Sequence, residues 1–209
     1  MRTEITSFRM DSHRTHNGRQ RPDFLGWRGT SPEFGEITVA YPFMTGEYEI
    51  RATVRGEKVP TVLFDAKGFH VPGLLMPTLN RGTLRVGERE VAMARNRLGT
   101  TRQGRALHLT DGEDRYKLWA ISRKRYALAR KPSGERSGVT VKVKQSGVGG
   151  RRHLSGGLYL TVTVEGRAEP TDIALAVMFS GVDRSNLTRG GAIRSIFSRG
   201  ANHIVHLGS

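Results

Sequence analysis

Six cations at alternating positions are the side chains best placed to do chemistry on a partner: Arg115, Lys117, Arg123, Arg125, Lys142 and Lys144. Successive side chains of an extended chain point to opposite faces, so Arg115, Lys117 and Trp119 share one face and Tyr116, Leu118 and Ala120 the other. By the same rule Lys142 and Lys144 lie opposite Val139, Val141 and Val143, and Arg123 and Arg125 lie opposite Tyr126 and Leu128. Guanidinium and ammonium groups gathered on one face offer donors and positive potential to phosphate or carboxylate groups. The charge map points the same way. Of a formal net charge of +15, residues 80–152 hold nineteen Lys or Arg against six Asp or Glu, while each end of the chain is close to neutral. Charge this concentrated points to an anionic partner such as a membrane surface, a phosphorylated ligand or nucleic acid. A solvated Arg-rich surface is the competing explanation, because only seven of the thirty-four cations are lysine.

Other chemistries find less support. The glycine-rich Ser146 to Gly157 segment has the composition to wrap an anion with backbone N–H groups and to add Arg151 and Arg152. It lacks the GxGxxG spacing of a dinucleotide site and also reads as a plain hairpin loop. His13 with His16, and His203 with His206, have metal-compatible spacings but no third ligand nearby, and Asp111, Glu113 and Asp114 are too closely spaced for an EF-hand-like calcium loop. No metal or cofactor is therefore expected. There is no Gly-x-Ser-x-Gly elbow, no P-loop lysine and no His-Glu-x-x-His, so the sequence assigns no catalytic residues. The absence of cysteine excludes disulfides and thiol chemistry. With no apolar leader and no apolar run of transmembrane length, the expectation is a cytoplasmic protein, peripheral at a membrane if it meets one.

Short runs rich in β-branched and aromatic residues must hold these cations in place. They are Ile37 to Phe43, Glu47 to Arg55, Thr61 to Asp65, Phe69 to Val71, Thr83 to Val86, Arg89 to Arg95, Arg105 to Thr110, Arg115 to Ile121, Arg123 to Arg130, Val139 to Gln145 and Leu158 to Glu165. Gly-containing turns separate them, and Asp111-Gly112 marks the clearest hairpin. Residues 1–35 mix Arg, Ser, His, Gly and Pro without periodicity and read as a basic flexible tail, tethered at its end through Phe24, Leu25 and Trp27. After the last strand, Thr171 offers a cap and Asp172 suits a helix start, and Ile173 to Phe179 is apolar on every side. A helix with no polar stripe must be buried all round, and seven residues fall short of the roughly 20 that span a bilayer. One more buried strand is the competing assignment for this run. The predicted class is mainly β: a closed or nearly closed antiparallel barrel of about 11–12 strands around a central helix at 171–181, with the barrel body at 36–187 and a C-terminal extension at 188–209.

Where the strands end in EGRAEPTDIALAVMFSGVD, the chain resembles the tubby-like superfamily, which includes tubby C-terminal domains, phospholipid scramblases and LURP-one-related proteins. The resemblance covers 36–187 in architecture and Leu158 to Asp183 in sequence character. It implies a barrel of about twelve strands closed around a C-terminal hydrophobic helix. The phosphoinositide-binding basic residues of tubby proteins have no position-by-position match here, and the acidic calcium segment of scramblases has no counterpart. Together the charge map and the resemblance lead to the expectation of a non-enzymatic domain that docks anionic phospholipid headgroups or a membrane surface through its basic face. Sequence-independent nucleic-acid binding by the same face, with Trp119 or Tyr126 stacking on bases, is the alternative.

Overall fold

The computed structural model describes residues 4–16, 22–42, 49–67, 77–79, 82–95, 101, 104–147, 158–184 and 187. Twelve antiparallel strands close into one barrel, each paired with its neighbours in sequence and the first with the last. They are β1 (Ile5–His16), β2 (Pro22–Ser31), β3 (Gly35–Pro42), β4 (Glu49–Gly56), β5 (Val62–Lys67), β6 (Gly82–Val86), β7 (Arg89–Arg95), β8 (Leu107–Asp111), β9 (Asp114–Ser122), β10 (Arg125–Arg130), β11 (Val139–Ser146) and β12 (Tyr159–Glu165). The helix α1 (Pro170–Met178) follows and runs into a single 3-10 turn, Phe179–Gly181. Eight strands make a barrel that its own side chains fill, and diameter grows with strand number. Twelve therefore leave an axial space, which a helix about 10–12 Å across can occupy.

The helix fills that space. The backbone is helical from Pro170 to Met178, which settles the choice between helix and strand, and Ile173 through Phe179 have no exposed surface. Five of these side chains are large, and their burial is worth on the order of 10 kcal/mol. Phe179 meets Phe64 of β5 edge-on, with ring centroids 6.5 Å apart. Polar contacts fix the helix at both ends. At its start Arg130, at the end of β10, donates from Nε and Nη2 to the two carboxylate oxygens of Asp172 at 2.8 and 3.2 Å. Near its end the Tyr126 hydroxyl donates to the Ala176 carbonyl at 2.7 Å, and the Ser180 hydroxyl to that of Val177 at 2.6 Å. Arg184 stacks over the Tyr126 ring at 4.2 Å and donates to the carbonyls of Phe179 and Val182, groups the last turn leaves unpaired. Burial pulls the Arg184 guanidinium below its ordinary pKa, and burial likewise raises the pKa of the Tyr126 hydroxyl.

Two expectations need correction. Residues 1–35 are not a tail: β1 and β2 are barrel staves, and β1 closes the ring by pairing with β12 from Ile5 opposite Glu165 to Asp11 opposite Tyr159. Phe8, Met10 and Trp27 are the buried side chains that seat them. Glycine hid this arrangement, because a Cβ on Gly26 would lie 1.8 Å from the Val39 carbonyl oxygen and one on Gly29 would lie 2.3 Å from that of Arg9. These glycines permit close strand approach rather than mark turns. The helix start also differs. Glu169, not Thr171, is the capping residue, and its backbone N–H donates to Asp172 Oδ2 at 2.7 Å, with Pro170 at the first helical position. The expected strand at Phe69 to Val71, the Ala192 to Ser198 segment and the extension at 188–209 lie outside the described residues.

Because neighbouring strands alternate in direction, the barrel has two chemically distinct rims. One surrounds the start of α1 and carries the turns after β2, β4, β6, β8, β10 and β12; the other surrounds its end. At the second rim the Asp183 N–H donates to the Pro77 carbonyl at 2.8 Å, tying the chain beyond the helix to the wall.

Candidate anion-docking surface

The six cations singled out by sequence fall on three consecutive staves. β10 lies between β9 and β11, with Arg125 directly opposite Lys144, Ala127 between Lys142 and Trp119, and Ala129 opposite Lys117. Alternation holds on all three strands: Tyr116, Leu118, Tyr126, Leu128, Val139, Val141 and Val143 are buried, whereas Arg115, Arg125, Lys142 and Lys144 are exposed and Lys117 is half-buried on the outer surface. Ala127, flanked in register by Trp119 and Lys142, has no exposed surface although it belongs to the outer face. Arg123 and Lys124 form the exposed turn between β9 and β10. A register shift there sets Arg125 opposite Ser122 and Tyr126 opposite Ala120, leaving Ile121 as a bulge.

Several cations elsewhere on the wall are paired with acids. On the far flank Arg51 and Arg85 converge on Asp65 at 2.5 and 3.0 Å. Burial alone would raise the Asp65 pKa, but the hydrogen bond and charge of Arg51, with those of Arg85, hold it below its ordinary value. Arg9 pairs with Asp11, Arg28 with Glu36, Arg89 with Asp111 and Arg136 with Asp114. Within the six-residue set only Lys142 is paired, to Glu165 across the β11–β12 boundary. Arg115, Lys117, Arg123, Arg125 and Lys144 have no acidic partner among the described residues. Like charges directly opposite on adjacent strands destabilise a sheet. The Arg125–Lys144 pair is such a contact, and no described acid relieves it.

Other expected site residues fare differently. Arg151 and Arg152 lie outside the described residues, as do His203 and His206. Tyr126 is buried and bonded to the helix, so it is removed as a stacking surface, while Trp119 stays half-exposed on the outer face. Among the described residues no group of three or more His, Asp or Glu is arranged to hold a metal, and no helix is long and apolar enough to cross a membrane.

Sequence reasoning missed Arg130, whose parity with Tyr126 and Leu128 was the available signal. A cation in phase with buried residues must be paired, and Arg130 is 3% exposed, with Asp172 at 2.8 Å and Glu169 at 3.6 Å. Arg136 reaches Glu169 at 3.5 Å and Asp114 at 3.1 Å, extending the ion pairs to the surface around a cleft of about 270 Å³. This cluster holds the helix start and neutralises itself. Desolvation and the Asp172 carboxylate both raise the pKa of the adjacent Tyr116 hydroxyl.

No protein-family model, no curated protein and no solved structure matches this chain.

Proposed function

We propose that this protein is a non-enzymatic, tubby-like domain that docks on anionic phospholipid headgroups at a membrane surface through the outer face of β9, β10 and β11. The observation that carries the proposal is the direct opposition of Arg125 and Lys144, beside Arg123 and Lys124, with no described acid to balance them. A sheet gains nothing from such a contact on its own; an external anion turns the repulsion into shared attraction. The order of elements, strands first and an all-apolar helix last inside the barrel, supports the likeness to the tubby-like superfamily. Each Lys or Arg near an anionic leaflet contributes about 1 kcal/mol, so Arg123, Lys124, Arg125 and Lys144 together suffice for reversible, salt-sensitive attachment.

Vesicle sedimentation tests this. The protein should pellet with phosphatidylserine-containing vesicles at low salt, stay in the supernatant with phosphatidylcholine alone, and be released as salt rises. Equal partitioning onto neutral and anionic vesicles would remove the reading. Trp119, half-exposed on the outer face two residues from Lys117, is the one observation that favours single-stranded nucleic acid instead. That reading requires a gel shift with a single-stranded polymer and a loss of affinity in Trp119→Ala.

A further inference from the structure

The two rims of the barrel differ in how far their charge is balanced. Between Glu88 and Glu165 the sequence holds seven acids, and none of them lies within 91–110, 115–134 or 136–164. All seven, from Glu88 and Glu90 through the Asp111 to Asp114 turn to Glu135 and Glu165, therefore sit on or next to turns at the rim surrounding the start of α1. Glu169 and Asp172 add to that rim, where Arg89, Arg130 and Arg136 pair with Asp111, Asp114, Glu169 and Asp172 and offset much of the negative charge.

The opposite rim, traced across the five adjacent staves β7 to β11, presents Arg95, Arg105, Arg123, Lys124, Arg125 and Lys144 at or beside strand ends, with no acid among them. Arg105, just before β8, is 7% exposed, yet its Nε and Nη2 have no acceptor among the described residues. A charge recessed in protein is less screened than one in water, so it adds to the potential outside that rim. The negative end of the α1 dipole points the same way, but Arg184 already caps it. An anionic plane would thus be drawn to the rim around the end of α1 and gain little from the other, where cations and carboxylates are paired.

Resting on the docking reading above, we infer that the barrel meets the anionic membrane end-on, with the rim around the end of α1 against the headgroups. Of the outer face of β9 to β11, the end that holds Arg125 and Lys144 then meets the surface and the opposite end stands away from it. Arg115, beside Asp114 at the opposite rim, then stands off the bilayer, whereas Arg123, Lys124, Arg125 and Lys144 touch it. Lys131, exposed just after β10 at the rim around the start of α1, likewise stands off the bilayer, so Lys131→Ala should leave vesicle affinity within twofold of the parent, and Arg123→Ala should lower it about fivefold, the equivalent of one surface cation.

The chain has no cysteine, which permits clean single-site labelling. Ser122 and Ser137 are exposed serines at opposite rims, separated by roughly 20 Å along the axis for tilted strands of this length. Fluorophores on Ser122→Cys and on Ser137→Cys are read with phosphatidylserine vesicles that carry a headgroup quencher, after sedimentation has measured how much of each labelled protein is bound. End-on docking predicts quenching at Ser122 at least threefold stronger than at Ser137. Bound protein with equal quenching, or with stronger quenching at Ser137, overturns the orientation and leaves docking standing. Failure of both labelled proteins and the unlabelled chain to pellet with these vesicles overturns the docking reading and the orientation together.

Discussion

Arg130 and Asp172 carry more of the fold than their number suggests. Both are nearly inaccessible and each answers the other's charge, so removing Arg130 leaves Asp172 buried without its cation. Arg130→Ala should cost about 3–5 kcal/mol, which for a chain of this length lowers the melting temperature by roughly 10 °C. Thermal unfolding followed by circular dichroism measures it, and the double variant Arg130→Met with Asp172→Leu should recover most of the loss by replacing the pair with apolar packing. A single variant that melts with the parent would show that the pair is dispensable. Asp65 makes a second, pH-dependent case. Its folded pKa lies below the unfolded value of 3.8, so its contribution is fully present above that value and is lost as pH falls through the folded pKa. Asp65→Asn should therefore cost about 1 kcal/mol in urea unfolding at neutral pH. The gap should close in strong acid, whereas a gap independent of pH would mean that the ion pairs with Arg51 and Arg85 are not its source.

Among the elements, β1 and α1 have the most to show about what a sequence reveals. The helix was legible because Ile173 to Phe179 admits no polar face, and the only way to bury it after a run of strands is inside them. Ala176→Asp should for that reason abolish soluble folding, since Ala176 is 0% exposed and a charge there has no partner. Soluble protein with intact near-ultraviolet circular dichroism would contradict the central placement. β1 and β2 were not legible. Only Phe8 and Met10 mark the inner face of β1 among a polar majority, and the glycines of β2 look like turn signals when read without the strands they approach. Deleting residues 1–16 tests the corrected assignment. The truncated chain loses the stave that joins β2 to β12, so it should aggregate or unfold, because two unpaired strand edges are exposed. A truncated protein with parental melting would restore the reading of a tail. The basic face lay between these extremes. Alternation in Arg115 to Ile121 and Val139 to Lys144 gave each strand's orientation, whereas the opposition of Arg125 to Lys144 depends on a register that one strand alone cannot reveal.

At the scale of the whole molecule, the net charge of +15 matters less than where it is left uncompensated. Arg9 and Arg28 sit on the same barrel but are each balanced by a neighbouring carboxylate, and Arg51 and Arg85 share Asp65, so they contribute less field at a distance. Arg125 and Lys144 are not balanced. This difference separates a docking surface from charge that merely keeps the protein in solution, and it survives a control matched for net charge. The most direct test compares vesicle affinity of the parent with that of Arg125→Ala/Lys144→Ala and of Arg9→Ala/Arg28→Ala, each of which lowers the net charge equally. At about 1 kcal/mol per cation, the first pair should lose roughly 30-fold in affinity for phosphatidylserine vesicles and the second less than threefold. Equal losses in the two variants would show that net charge alone governs binding and would contradict a docking face on β9 to β11.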